Sequence, residues 1–149
     1  MTLSNIKKFK EERGFTIVEL LIVIVIIAIL AAIVIVAYNG ITNRAKASKA
    51  LSAAQAVQQK AEAYNAELGY YPDAGADLTG ATSDKSYNLT GVTFASSDIT
   101  AAPTDENTVY MTTCPASSTA SAVKGVQIKY WDYGASPAAA KTITAGVCP

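Results

Sequence analysis

The sequence predicts an α+β chain in which a long N-terminal helix packs on a small antiparallel β-sheet. Residues 20–37 are 18 consecutive apolar residues. Apolar side chains then recur at spacings of three and four as far as residue 68, the period of an amphipathic helix. After residue 69 the composition changes to short runs rich in Val, Ile, Thr and Tyr between turn-forming residues, which is typical of strands.

The composition argues against an enzyme. The 149 residues include 12 basic and 12 acidic side chains and no histidine. Nucleophilic catalysis that needs a histidine base and metal sites built on imidazole are therefore excluded. No basic run or stripe interrupts this balance, so direct nucleic-acid binding is not expected. We predict no catalytic residues, no metal site and no cofactor.

A basic leader precedes an apolar segment of membrane-spanning length. Residues 1–14 carry four basic and two acidic side chains, a net charge of +2. The apolar segment covers residues 15–38, and its first 23 residues would reach about 34 Å as a helix, enough for a hydrocarbon core of about 30 Å. A cleaved secretory signal is the alternative, but its apolar region is about 7–15 residues long. We interpret the segment as a membrane helix.

Glu19 is the one acidic or basic residue within residues 15–38. A carboxylate inside a membrane costs roughly 2–3 kcal/mol or more, unless it is hydrated at the interface or has a partner. Cleavage after Gly14 would leave a new α-amine on Phe15, four residues before Glu19. Because residues four apart share a helix face, the amine and the carboxylate could neutralise each other within one chain or between neighbours.

These features together resemble the class III signal of type IV prepilins and their relatives. The resemblance is carried by the basic leader, the run GFTIVE at residues 14–19 and the apolar helix after it. It implies that a prepilin peptidase/methyltransferase removes residues 1–14 by cutting after Gly14 and N-methylates Phe15. It also implies that Glu19 pairs with the terminal amine of an adjacent subunit during assembly.

The resemblance implies a structural subunit of a type IV pilus that serves adhesion, twitching motility or DNA uptake. Its partners would be identical subunits in a helical filament, the processing enzyme, and the pilus assembly platform with its ATPase. The precursor would lie in the inner (cytoplasmic) membrane and the product in an extracellular pilus on the cell surface. A pseudopilin of a type II secretion or competence system is the first alternative. A membrane-anchored domain that never polymerises is the second.

The helical pattern continues beyond the membrane segment through residues 39–69. We predict one helix over residues 16–68, ended by Gly69 and Pro72. No proline precedes Pro72, whereas many type IVa pilins carry one where Val36 stands, and Asn39-Gly40 is the nearby helix-weakening pair. A coiled coil over residues 45–68 is a weaker alternative. The predicted apolar face consists of Ala47, Ala50, Leu51, Ala54, Val57, Ala61, Tyr64 and Leu68.

Residues 70–149 are predicted to form the antiparallel β head. Candidate strands cover residues 108–114, 126–133 and 141–148, with a shorter one over residues 87–94 that Gly91 interrupts. Val126, Ile128 and Tyr130 alternate with polar or larger neighbours, so one sheet face can be buried. About eighty residues of short strands make a thin core, which the apolar face of residues 45–68 would complete.

Cys114 and Cys148 are the two cysteines of the chain. An even count in an exported domain favours a disulfide, and the C-terminal disulfide loop of many pilins resembles this spacing. Two reduced thiols in the core are the alternative. A metal site is not predicted from two cysteines without histidine.

Two groups of charged residues have simple interpretations. Arg44, Lys46 and Lys49 follow the membrane segment, and we interpret them as charges that face lipid or pack in the filament. Asp73 and Asp77 lack the spacing of an EF-hand, so a solvated loop is preferred over a calcium site.

Overall fold

A computed structural model describes residues 14–80, 84–114 and 123–148. The predicted leader therefore lies outside the described residues, apart from Gly14. The chain divides into two compact units, residues 1–38 and 39–149.

The long helix, α1, covers Ile17–Leu68, which confirms the predicted helix to within one residue at its start. Asn39 and Gly40 are both helical, so this pair does not end the helix. Gly69 does, with a φ of 82° that favours glycine, and its N–H donates to the carbonyl of Asn65 at 2.8 Å.

The second unit contains a short helix and four strands. Helix α2 covers Gly75–Thr79, and the strands are β1 (Thr93–Phe94), β2 (Thr108–Cys114), β3 (Gly125–Asp132) and β4 (Ala139–Gly146). They form one sheet in the order β1-β2-β3-β4. Strand β3 is antiparallel to both β2 and β4, and Ile128 pairs with Met111 on one side and Ile143 on the other.

The predicted α+β class is confirmed, with corrections at one edge of the sheet. The candidate strand over residues 87–94 is reduced to Thr93–Phe94 in the structure. This short strand, β1, is parallel to β2 and not antiparallel. Gly91, at a φ of 76°, turns the backbone away from strand geometry. Leu89 instead bonds to the carbonyl of Leu78 through its N–H at 3.0 Å and buries its side chain in the core.

The sheet core is closed by the apolar face of α1 within the second unit. The alternation on β3 is confirmed, because Val126, Ile128 and Tyr130 are buried. The buried residues of α1 are Ala50, Ala53, Ala54, Val57, Ala61 and Tyr64. Since this face is buried within the chain, it is not available to a coiled-coil partner. The prediction was wrong for Leu68, which is the last residue of the helix and 42% exposed.

Candidate functional site

The first turn of α1 is closed by reciprocal hydrogen bonds between Thr16 and Glu19. The hydroxyl Oγ1 of Thr16 accepts from the backbone N–H of Glu19 at 3.2 Å. In return, Glu19 Oε2 accepts from the backbone N–H of Thr16 at 2.9 Å and from its hydroxyl at 2.7 Å. With Thr16 directly before the first helical residue, this is a capping box, which satisfies backbone donors that a helix start leaves unpaired.

Sequence reasoning missed this local role of Glu19. It considered a partner amine on Phe15, whereas the structure gives the carboxylate a partner within its own first turn. The signal was present, because a threonine followed three residues later by a glutamate before an apolar run is the sequence pattern of a capping box.

The predicted cleavage position lies directly before this turn. Gly14 and Phe15 precede the helix, and the Phe15 side chain is 84% exposed. A Cβ added at Gly14 would meet no atom within 4 Å. Gly14, Phe15 and Glu19 therefore lie within six consecutive residues, and the carboxylate of Glu19 is held at the helix end nearest to Phe15.

The helix that follows presents an aliphatic surface without a partner in the described part of the chain. Every large apolar side chain from Phe15 to Val36 is at least 47% exposed. Within the described residues, α1 is the one helix that is long and apolar enough to cross a membrane. Burying such a surface against lipid or other apolar chains is strongly favourable, because it removes apolar area from water.

The lysines after this segment have partners within the chain. Lys46 Nζ and Lys49 Nζ lie 3.4 and 3.3 Å from the two carboxylate oxygens of Glu106. The backbone N–H of Glu106 and the ammonium of Lys49 lower the pKa of the Glu106 carboxyl. Sequence reasoning assigned both lysines to lipid or filament contacts. It did not predict that they attach Glu106, in the segment between β1 and β2, to α1.

The two cysteines are joined by a disulfide near the end of the chain. Cys114 ends β2, Cys148 follows β4 by two residues, and their Cα atoms are 5.2 Å apart. Backbone hydrogen bonds also connect the segments that carry the two cysteines. Lys124 N–H donates to the carbonyl of Cys114 at 3.2 Å, and Val147 N–H donates to the carbonyl of Lys124 at 2.9 Å.

Glu62 of α1 contacts the same C-terminal segment. Its Oε2 accepts from the hydroxyl of Tyr71 at 2.6 Å, and its Oε1 accepts from the backbone N–H of Gly146 at 3.1 Å. Burial and the hydrogen bond to Glu62 raise the pKa of Tyr71 to about 12. No sequence pattern indicated this contact, since residues 62 and 146 are separated by 84 positions.

Asp77, which was predicted to lie in a solvated loop with Asp73, lies in the first turn of α2 instead. Asp77 Oδ2 accepts from the backbone N–H groups of Asp73 and Ala74, both at 3.1 Å. This carboxylate therefore caps the start of α2. In the part of the chain that the structure describes, no group of three or more His, Cys, Asp or Glu side chains is placed to hold a metal ion.

Residues 9–35 match the family model of the prokaryotic N-terminal methylation motif. No curated protein and no solved structure matches the chain. The matched residues include the predicted cleavage position, the capping box and most of the exposed apolar segment. This match, the long N-terminal apolar helix and the C-terminal disulfide are together consistent with a type IV pilin-like prepilin.

Proposed function

We propose that the chain is a structural subunit of a type IV pilus that polymerises through its N-terminal helix. One observation carries the proposal: the methylation motif at residues 9–35 leads directly into a helix whose aliphatic side chains are exposed. Lipid covers this surface in the precursor, and the helices of neighbouring subunits cover it in the filament. The filament then serves adhesion, twitching motility or DNA uptake.

Processing precedes assembly in this proposal. The prepilin peptidase/methyltransferase cuts after Gly14 at the cytoplasmic side of the membrane and methylates the new terminal amine of Phe15. The exposure of both residues ahead of the helix supports access by the enzyme. The assembly platform and its ATPase then move the mature subunit from the membrane into the filament.

Glu19 is the assembly residue. The capping box holds its carboxylate at the helix start, where the helix dipole favours negative charge. Cleavage would add a cationic amine to the same end of the helix. In a filament, the amine of an adjacent subunit would be neutralised by this carboxylate, which lowers the cost of placing both charges in an apolar core.

A pseudopilin of a type II secretion or competence system is the second candidate. The methylation motif and the apolar helix support it equally. The resemblance of the Cys114–Cys148 loop to that of many pilins favours the pilus subunit. Abundance of the mature chain in long surface filaments would support a pilin, and a processed chain that stays with the cells would support a pseudopilin.

The test is a Glu19→Ala variant with Glu67→Ala as its matched control. Both changes remove one carboxylate from α1, but Glu67 lies in the last turn of the helix, whereas Glu19 lies in the first. We expect Glu19→Ala to be processed normally and to leave no filaments in the fraction sheared from cells, whereas Glu67→Ala assembles.

The intact mass of the chain and the yield of sheared filaments decide the outcome. An intact mass that begins at Phe15 and includes one methyl group reports processing, and the sheared fraction reports assembly. A normal filament yield from Glu19→Ala would contradict the assembly role of Glu19. A cell-bound chain that retains residues 1–14 would instead favour a plain membrane anchor.

A further inference from the structure

The segment after β4 is held in place chiefly by polar contacts. Gly146 ends the strand, and Val147 forms a backbone hydrogen bond to Lys124, which itself bonds to Cys114. The Val147 side chain is 70% exposed, so its burial contributes little to fixing the segment. The position of Cys148 therefore depends on the pairing of Gly146 with Gly125 in the sheet and on the hydrogen bonds that the N–H groups of residues 146 and 147 donate.

Glu62 accepts one of those hydrogen bonds, and its own position on α1 is fixed by packing. Its neighbour Ala61 is fully buried in the core, which fixes this turn of α1 against the sheet. The carboxylate contacts two segments at once, the phenol of the buried Tyr71 and the N–H of Gly146. Hydrogen bonds to an ionised acceptor are roughly twice as strong as those between neutral groups.

We propose that Glu62 is a positioning residue for the disulfide. By holding Gly146 and Tyr71, its carboxylate places the Cys148 thiol beside Cys114 before the two are oxidised. This role concerns the maturation of the head and does not depend on filament formation.

The oxidation it assists is a thiol–disulfide exchange in two steps. A thiolate of one cysteine attacks glutathione disulfide, which forms a mixed disulfide and releases one glutathione thiolate. The second cysteine, as its thiolate, attacks the mixed disulfide, forms the Cys114–Cys148 bond and releases the second glutathione. Two electrons pass from the cysteines to glutathione disulfide, and the two thiol protons pass to the released glutathione thiolates. The second step depends on the proximity of the two sulfurs, which is expressed as their effective concentration.

The test measures that effective concentration in the full-length chain in detergent. The protein is equilibrated with glutathione buffers of known ratio, the free thiols are alkylated in acid, and the oxidised fraction is read by mass. We expect Glu62→Ala to lower the effective concentration about tenfold, the loss expected for a charge-assisted hydrogen bond. Glu67→Ala is the matched control, because Glu67 is also a carboxylate of α1 but accepts from Ser86 Oγ at 2.6 Å instead.

The effect is specific to Glu62 if the effective concentration falls in Glu62→Ala and not in Glu67→Ala. An effective concentration in Glu62→Ala equal to that of the wild type would overturn the proposal, and so would an equal fall in Glu67→Ala. If circular dichroism shows that reduced Glu62→Ala is unfolded, Tyr71→Phe decides. That variant keeps the ring and removes one bond to Glu62, so we expect about a threefold fall, consistent with one weakened contact. A wild-type value in Tyr71→Phe would then overturn the proposal.

Discussion

Thr16 and Glu19 bond to each other in both directions across the first turn of α1, with the Thr16 hydroxyl 2.7 Å from Glu19 Oε2 and 3.2 Å from the Glu19 nitrogen. The residues that match the methylation motif therefore also form a helix cap. One carboxylate is thus available both to start the helix and, in the proposed filament, to meet an amine.

The cap predicts that Thr16→Val loosens the start of α1. Valine keeps the shape of threonine, but it cannot accept a hydrogen bond from the Glu19 N–H or donate one to the Glu19 carboxylate. We expect amide hydrogen exchange at Glu19 to accelerate about tenfold in detergent, because its N–H loses the hydroxyl that accepts from it and the first turn is destabilised. Thr16→Ser retains the hydroxyl and should exchange at the wild-type rate. Equal rates in the wild type and Thr16→Val would show that the cap does not stabilise this turn.

The disulfide predicts a large loss of stability in the double variant Cys114→Ser/Cys148→Ser. The cysteines are 34 positions apart, and closing a loop of that length stabilises the fold by roughly 3–4 kcal/mol in the chain-entropy model. Denaturant unfolding of the full chain can be followed by the fluorescence of Trp131, the single tryptophan, which lies on β3. A free energy of unfolding equal to that of the oxidised wild type would contradict this prediction.

Gly146 should tolerate no side chain. Its φ is 73°, and an added Cβ would lie 2.5 Å from both the Lys124 carbonyl oxygen and the Tyr71 ring. Gly91 is the matched control, with a φ of 76° but no atom within 4 Å of an added Cβ. We expect Gly91→Ala to cost about 1–2 kcal/mol of unfolding free energy from backbone strain alone. Gly146→Ala should cost clearly more in the same denaturant titration, and equal costs would refute the steric argument.

Asp132 should stabilise the head in a pH-dependent way. The ammonium of Lys141, 2.6 Å away, and the Gly134 N–H lower the pKa of the Asp132 carboxyl in the folded state. A depressed folded pKa gives stability that is present above the unfolded pKa of about 3.9 and is lost as the pH falls through the folded value. Asp132→Asn should therefore be less stable than the wild type at pH 7, with the difference shrinking below about pH 4.

The size of that effect is limited by solvent. The Lys141 side chain is 56% exposed, so screening by solvent should keep the contribution of the ion pair small. Lys141→Met supplies the control, since it removes the partner and keeps an apolar stem. Thermal unfolding of both variants from pH 3 to pH 7 checks the prediction, and a stability gap for Asp132→Asn that is constant over this range would refute it.

The local elements of this fold could be predicted from the sequence because their signals are local. Apolar residues that recur every 3.6 positions over residues 45–68 predicted the buried face of α1. The alternation of apolar and polar residues predicted the buried side of β3. The cap between Thr16 and Glu19 is equally local and was missed because the glutamate was considered as a hydrated interfacial charge or as a partner for an amine, and not as part of a capping box. The strand over residues 87–94 failed for another reason: Leu89 is apolar because it fills the core beside Leu78, outside any strand.

By itself, the sequence determined the apolar N-terminal segment, the methylation motif, the helix and three of the four strands, since each depends on neighbours within a few turns or on one short pattern. Only the tertiary structure decided the parallel pairing of β1, the attachment of Lys49 to Glu106 and the contacts of Glu62 with Tyr71 and Gly146. Lys49 and Glu106 are 57 positions apart, and Glu62 and Gly146 are 84 apart. Contacts at such separations form because packing α1 on the sheet brings the side chains together, and no periodicity along the chain encodes which polar groups will then meet.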